Sequence, residues 1–151
     1  MSHPASITAH VGDLMTKIDP EKALPDVYLA NKDESQYLRL VFFPGSAKNS
    51  FGFFEVGEMT ERQRNEKPVS TSFAVFRSES GIALGMSKDQ LTAIKGNNYQ
   101  VTMGNSKVTL RFTISDSVNV FLRRYNMPLY RAEYSFVRNK LICFSFGFEY
   151  P

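Results

Sequence analysis

His3 and His10 are the two imidazoles of the chain and Cys143 is its one thiol. Metal sites need clustered His, Cys, Asp or Glu, and both histidines lie close to the amino terminus, far in sequence from the cysteine. Nucleophilic catalysis by Cys143 would need a positioned base. Cys143 sits instead in an apolar, aromatic strand pattern, where a thiol acts as a small hydrophobe. Glu55, Glu58, Glu133 and Glu149 fall in or near strands and could form an acid–base pair. Glu133 alternates with Tyr134, however, which predicts a solvent-facing charge. Gly81-Ile-Ala-Leu-Gly85 precedes a helix but carries neither a Lys-Ser/Thr pair nor a GxGxxG order, so it is not a phosphate loop. No catalytic residue, metal or cofactor is expected.

Arg123-Arg-Tyr-Asn-Met-Pro-Leu-Tyr130 is the segment best suited to contact another molecule. It brings Arg123, Arg124, Tyr125, Met127 and Tyr130 together in a proline-containing loop, and these are residue types enriched at interface hot spots. The alternative is an ordinary loop with a tyrosine anchored in the core. Aromatics beside basic residues (Phe112 with Arg111, Tyr125 and Tyr130 with Arg123, Arg124 and Arg131) can also stack bases. RNP-type patterns are absent and core packing accounts for most of these rings, so no nucleic-acid partner is expected.

The elements that position these residues can be read from periodicity. Residues 6–18 place Ile7, Val11, Leu14, Met15 and Ile18 on one helix face, and Asp19-Pro20 ends it. Residues 19–35 read as a connection. Strands are expected at 37–43 and 50–56, joined as a hairpin. The most polar stretch, 57–68, reads as an exposed loop and a second contact surface, and 69–77 as another strand. Ser87 is an N-cap with Gln90 as its capping-box partner, and Met86 with Leu91 forms a hydrophobic staple. Gly96 stops the helix. A short helix at 88–95 is predicted, with Leu91 and Ile94 facing inward. Residues 99–103 and 107–114 form a hairpin, while 116–126 fits either a short strand or a helical turn. In the closing hairpin Ala132, Tyr134 and Phe136 share one face, as do Ile142, Phe144, Phe146 and Phe148, and Val137–Lys140 makes the turn.

The chain has 151 residues, 42% hydrophobic and 22% charged, with 13 Phe, 7 Tyr and no Trp. Such a composition excludes collagen-like, coiled-coil, disordered and disulfide-scaffold classes and favours sheet. One α+β domain over 1–151 is expected, with a strand group at 36–77 and a helix-plus-sheet group at 78–151. A mainly antiparallel sheet of about six to eight strands would carry the N-terminal helix and the capped helix. Residues 1–60 hold 5 Lys/Arg against 8 Asp/Glu, a balance of −3, and residues 61–151 hold 13 against 7, a balance of +6. A basic second half favours nucleic acid, anionic lipid or an acidic protein partner, or is simply a solvated surface with a mild dipole. No apolar run reaches the roughly 18 residues of a spanning helix. Met1–Ser6 lacks the basic and apolar regions of a signal peptide. The expected location is periplasmic or secreted where a leader has been removed, and cytoplasmic otherwise. The pairing of Ser50-Phe-Gly-Phe-Phe-Glu with Ser145-Phe-Gly-Phe-Glu is either an internal duplication or a coincidence of a Phe-rich chain.

Gly81-Ile-Ala-Leu-Gly-Met-Ser-Lys-Asp-Gln-Leu91, ending in Gly96, resembles a recurrent bacterial envelope pattern. There Gly-Met-Ser/Thr-Lys opens a short helix, a glycine closes it, and an antiparallel sheet follows. The motif is similar to the small outer-membrane lipoprotein domains of the barrel-assembly machinery and to the repeats of beta-lactamase inhibitor protein. The 130–148 hairpin looks like the closing strands of such domains. The resemblance covers about 16 residues, with looser support towards the carboxyl terminus. It implies an exported, non-enzymatic domain with a protein partner, adaptor- or inhibitor-like, and transfers no catalytic residue. The alternative is a small-ligand or sensor domain with a pocket between sheet and helices.

Overall fold

The computed structural model describes residues 26–42, 51–116 and 118–149. The helix expected at 6–18 and the loop expected between the strands at 37–43 and 50–56 lie outside these residues. Eight strands and three helices among the described residues place the chain in the mixed α+β class. The chain divides between Val75 and Phe76 into two compact units.

The first unit contains β1 (Asp26–Ala30), β2 (Gln36–Phe42), β3 (Phe51–Glu58), α1 (Glu61–Asn65) and β4 (Val69–Ser70), with strand order β4-β1-β2-β3. Both β1–β2 and β2–β3 are antiparallel, and a bulge between Val41 and Phe42 brings Phe42 opposite Phe51. Val27, Leu29, Leu40, Phe42, Phe51 and Val56 are buried. β4 runs parallel to β1, so the expected mainly antiparallel sheet gives way to a mixed one. The cause is topological: the chain leaves β3 at one side and returns beside β1 at the other, and parallel pairing requires such a crossover.

Three sequence expectations change here. The supposed connection at 19–35 contains β1, a strand whose Asp26 is buried against the Arg39 guanidinium at 2.7 Å. The supposed loop at 57–68 continues β3 to Glu58 and then forms α1. In α1, Glu61 in the first turn and Arg62 and Arg64 in the last complement the helix dipole, and Arg64 pairs with Glu34 at 3.3 Å. The strand expected at 69–77 stops at Ser70. Beyond it the backbone is held by separate contacts: the Lys32 amide donates to the Phe73 carbonyl, and the Asn31 side chain to the Ala74 carbonyl.

The second unit contains α2 (Lys88–Lys95), β5 (Gln100–Met103), β6 (Val108–Ile114), α3 (Val120–Tyr125), β7 (Leu129–Val137) and β8 (Lys140–Glu149). Its strands are antiparallel in the order β5-β6-β7-β8. One face buries Leu110, Phe112, Ala132, Tyr134, Phe136, Leu141 and Phe144, and Leu91 of α2 and Leu122 of α3 are buried too. The capping box forms as expected: the Gln90 amide donates to the Ser87 hydroxyl, and the Ser87 amide to the Gln90 side chain. Gly96 closes the helix with φ of +80°, a conformation few other residues adopt without strain. Ile94, expected to face inward, is exposed; this short helix buries Leu91 alone.

The closing hairpin departs from strict alternation. A bulge between Ser135 and Phe136 makes Leu141 the partner of Phe136 and leaves Ile142 as the extra residue. Leu141, not Ile142, is therefore fully buried. The turn residues Arg138 and Asn139 both have positive φ, +49° and +60°, the signature of a type I′ turn. Asn139 also accepts a hydrogen bond from the Lys88 amide at 3.2 Å, tying the turn to the start of α2. Arginine, unlike asparagine, has no intrinsic preference for the positive φ that Arg138 adopts. Arg138→Asn should stabilise the protein by about 0.5–1 kcal/mol, read as a rise of a few degrees in thermal midpoint. An unchanged or lowered midpoint would show that the arginine has a compensating role.

Candidate functional site

The segment around α3 is built by local capping. The Val118 amide donates to the Asp116 carboxylate, and the Phe121 amide to the Asn119 side-chain oxygen, each at 3.0 Å. Asn119 thereby satisfies one of the unpaired amides at the helix start. Asn126 ends the helix in the left-handed conformation, φ +52°, and the Met127 amide turns back to the Leu122 carbonyl at 3.0 Å. That return carries Met127 inward. Its side chain is buried, so it is not available as a surface contact.

With Leu122 facing the core, Phe121 and Tyr125 lie one helical turn apart and share a face. They meet Tyr130 at the start of β7 and Phe148 near the end of β8, which are directly opposite each other in the ladder. The Phe121 ring stacks on Phe148 at 5.4 Å with an interplanar angle of 26°. It meets Tyr130 edge-on at 5.3 Å and Tyr125 at 5.3 Å. Such offset and edge-to-face pairs fix ring orientation. Tyr130 is half-buried, and this burial, with the Glu79 charge second, raises its phenol above the ordinary range. Tyr130 is thus an anchor of the cluster.

The other side of α3 is open. Val118, just ahead of the helix, and Val120 are 68% and 80% exposed, while Phe121, on the ring face, keeps 38% of its surface exposed. Arg123 and Arg124 are exposed as well. The Arg124 guanidinium lies over the Tyr125 ring, 5.8 Å from its centroid, a cation–π arrangement that restrains the side chain. Of the five residues the sequence singled out, Arg124, Tyr125 and Tyr130 are connected here through ring contacts, and Arg123 is exposed on the same helix. Val118, Val120 and Phe121 join them without having been singled out. The polar residues Asp116 and Asn119, two cap-formers ahead of the apolar run Val120–Leu122, are the local signal that could have marked this helix.

Three of the four carboxylates that might have served acid–base chemistry are engaged by other side chains. On the polar face of β6–β8, Glu133 accepts from Arg111 at 2.7 Å, and Arg131 pairs with Glu149 while lying 3.8 Å from Glu133. Thr109 and Ser135 continue this polar row with a 3.0 Å hydroxyl pair. In the first unit Glu55 accepts from the Tyr37 hydroxyl at 2.6 Å. Glu58 ends β3, exposed. Cys143 is half-buried, and His3 and His10 lie outside the described residues. Among the described residues no group of three or more His, Cys, Asp or Glu is arranged to hold a metal ion.

No family model, curated protein or solved structure matches the chain. The chemistry of the α3 region is therefore read from its own residues. Among the described residues no helix is long and apolar enough to cross a membrane.

A second polar cluster, in the first unit, escaped the sequence reading because β1 was taken for a connection. Asp26, Tyr28, Tyr37, Arg39 and Glu55 share one face of β1–β3 by register. Arg39 donates to Asp26 and sits 5.8 Å from the Tyr28 ring centroid. Burial raises the Tyr28 phenol, with the Arg39 charge opposing it. The Tyr28 and Tyr37 rings are 6.1 Å apart. These contacts lie within the sheet face and serve its cohesion.

Proposed function

We propose that this chain is a non-enzymatic protein-binding domain, adaptor- or inhibitor-like, of the bacterial envelope, and that α3 is the centre of its contact surface. The observation that carries this reading is the combination at α3 of exposed apolar side chains with two exposed arginines on a rigid aromatic base. Single exposed apolar residues are ordinary, but three neighbouring ones beside arginine have the composition of an interface. Rings that are already packed also lose little freedom on binding. The envelope assignment rests on the Gly-Met-Ser-Lys helix opening at 85–88. The polar segment 57–68 is a secondary candidate, now as the exposed helix α1.

The test is a pull-down with the purified chain against envelope and cytosolic fractions separately, repeated with Arg123→Glu/Arg124→Glu. A saturable envelope partner, reduced at least about tenfold in the variant, is the expected result. Nothing retained from either fraction would overturn the reading. Identical material held by both proteins would remove α3 as the contact surface.

A further inference from the structure

The arginines of the second unit fall into two groups. Arg111 and Arg131 are ion-paired with Glu133 and Glu149 on the polar sheet face. Arg123 and Arg124 make no ion pair among the described residues, and the Arg124 guanidinium lies over the Tyr125 ring. Residues 76–151 carry 10 Lys/Arg against 5 Asp/Glu, a balance of +5, and part of the acidic side is already taken by the ladder. Among the described residues no carboxylate forms an ion pair with Arg123 or Arg124, and these two charges stand in the same short segment as the exposed Val118, Val120 and Phe121.

We infer that α3 docks an acidic, apolar peptide segment of a partner protein, its carboxylates on Arg123 and Arg124 and a branched or aromatic side chain on Val118, Val120 and Phe121. This rests on the protein-binding reading and names the chemistry of its partner. Guanidinium groups bind carboxylates through paired hydrogen bonds, and Arg124 is already held in place by the Tyr125 ring. Magnitudes separate the competing occupants. Lipid-headgroup recognition uses clusters of about four to eight basic residues, and stable interfacial helices present a long apolar face. A six-residue helix with two arginines falls short of both. Two arginines would also release too few counterions to hold nucleic acid at physiological salt, since affinity there scales with the number of phosphates neutralised.

The probe is a synthetic peptide alternating aspartate with phenylalanine and leucine, titrated into the isotope-labelled full chain and followed by amide chemical shifts. Its asparagine counterpart and phosphatidylglycerol vesicles serve as comparisons. The expected result is saturable shifts centred on α3. Affinity should fall at least about tenfold for Arg123→Glu/Arg124→Glu and for the asparagine peptide, and about three- to fivefold for Val120→Ala. Arg123→Gln/Arg124→Gln provides the same test should charge reversal disturb the fold. Shifts elsewhere, no shifts, or equal binding of the asparagine peptide would overturn the inference. So would vesicles that bind more tightly than the peptide and compete for the same amides. An envelope partner still retained by the charge-reversed chain would also overturn it while leaving protein binding itself intact. Peptide binding at α3 with nothing retained in the pull-down would support the site chemistry and remove the broader reading.

Discussion

Asn31→Ala is expected to destabilise the first unit by about 2–4 kcal/mol, more than any surface substitution in the chain. Asn31 is 1% exposed and its amide uses both ends. Its oxygen accepts from the Gln36 amide at 2.8 Å, closing the β1–β2 turn. Its nitrogen donates to the Asp33 carboxylate at 2.7 Å and to the Ala74 carbonyl at 2.8 Å. Alanine would remove the partner of the Gln36 amide and of the Ala74 carbonyl together, and each lost partner costs about 1–2 kcal/mol. Asn31→Asp should be no better, because a carboxylate cannot donate to Ala74 and would face the charge of Asp33. The Ser35 hydroxyl and amide hold the Asp33 carboxyl below its ordinary range, with the Asn31 amide adding to this. Its contribution to the turn is therefore full above the unfolded-state pKa and is lost as pH falls through the lower folded value. The gap between wild type and variant should narrow along that descent. Urea unfolding, followed through amide signals of β1 and β2, reads the effect. A loss below about 1 kcal/mol would mean that water replaces the amide.

How much of this was legible in the sequence depends on how local the cause is. The capping box at Ser87 was legible because its partners are three residues apart and both atoms belong to the same turn. The β5–β6 and β7–β8 hairpins were legible because alternation and turn residues lie within one short window. β1 was not. Asp-Val-Tyr-Leu-Ala becomes a strand only because Arg39, 13 residues on, compensates Asp26, and β4 closes its other side from about 40 residues away. The bulge at Ser135 was equally hidden, since one inserted residue moves burial from Ile142 to Leu141 with no change in composition. At the candidate site, residue types pointed to Arg123–Tyr130; Arg124, Tyr125 and Tyr130 are linked there through ring contacts, and Arg123 is exposed on the same helix. The fifth, Met127, turns inward because Asn126 adopts a left-handed conformation, which a sequence pattern does not reveal. The apolar half, Val118 to Phe121, stayed undecided between strand and helix until its caps were seen in place.

The two arginine populations link the fold to the proposed function. On the sheet, cross-strand register places Arg111 directly opposite Glu133, so those charges stabilise pairing and are spent within the fold. On α3 the same residue type projects from a six-residue helix with no facing carboxylate among the described residues. A surface pair of the first kind contributes little to stability. A pair of the second kind, without an ion-pair partner among the described residues, is what the proposed protein-binding role draws on. The four-ring cluster beneath α3 lets so short a helix hold a fixed orientation, which isolated helices of this length do not.

Gly57→Ala is expected to cost about 2–4 kcal/mol, through a mechanism opposite to that of Asn31. Gly57 stands across the β2–β3 ladder from Tyr37, and the tyrosine ring lies over its backbone. A Cβ at this position would fall 2.6 Å from the ring Cε1 and 2.8 Å from both Cζ and the hydroxyl oxygen. A free aromatic side chain would swing away at little cost. Tyr37 has less freedom to do so: it is 5% exposed and its hydroxyl donates to Glu55 at 2.6 Å. Relieving the overlap must therefore move a packed ring, break that hydrogen bond, or part the two strands. The mechanism makes a sharper claim than the single substitution. Tyr37→Ala alone should also be costly, by about 3–5 kcal/mol, because it empties the space above Gly57. Once the ring is gone, however, the added methyl meets nothing. The double variant should then be about as stable as Tyr37→Ala, a coupling of about 2 kcal/mol or more between the two sites. Additive costs in that cycle would show that Gly57 is required for some reason other than the ring above it.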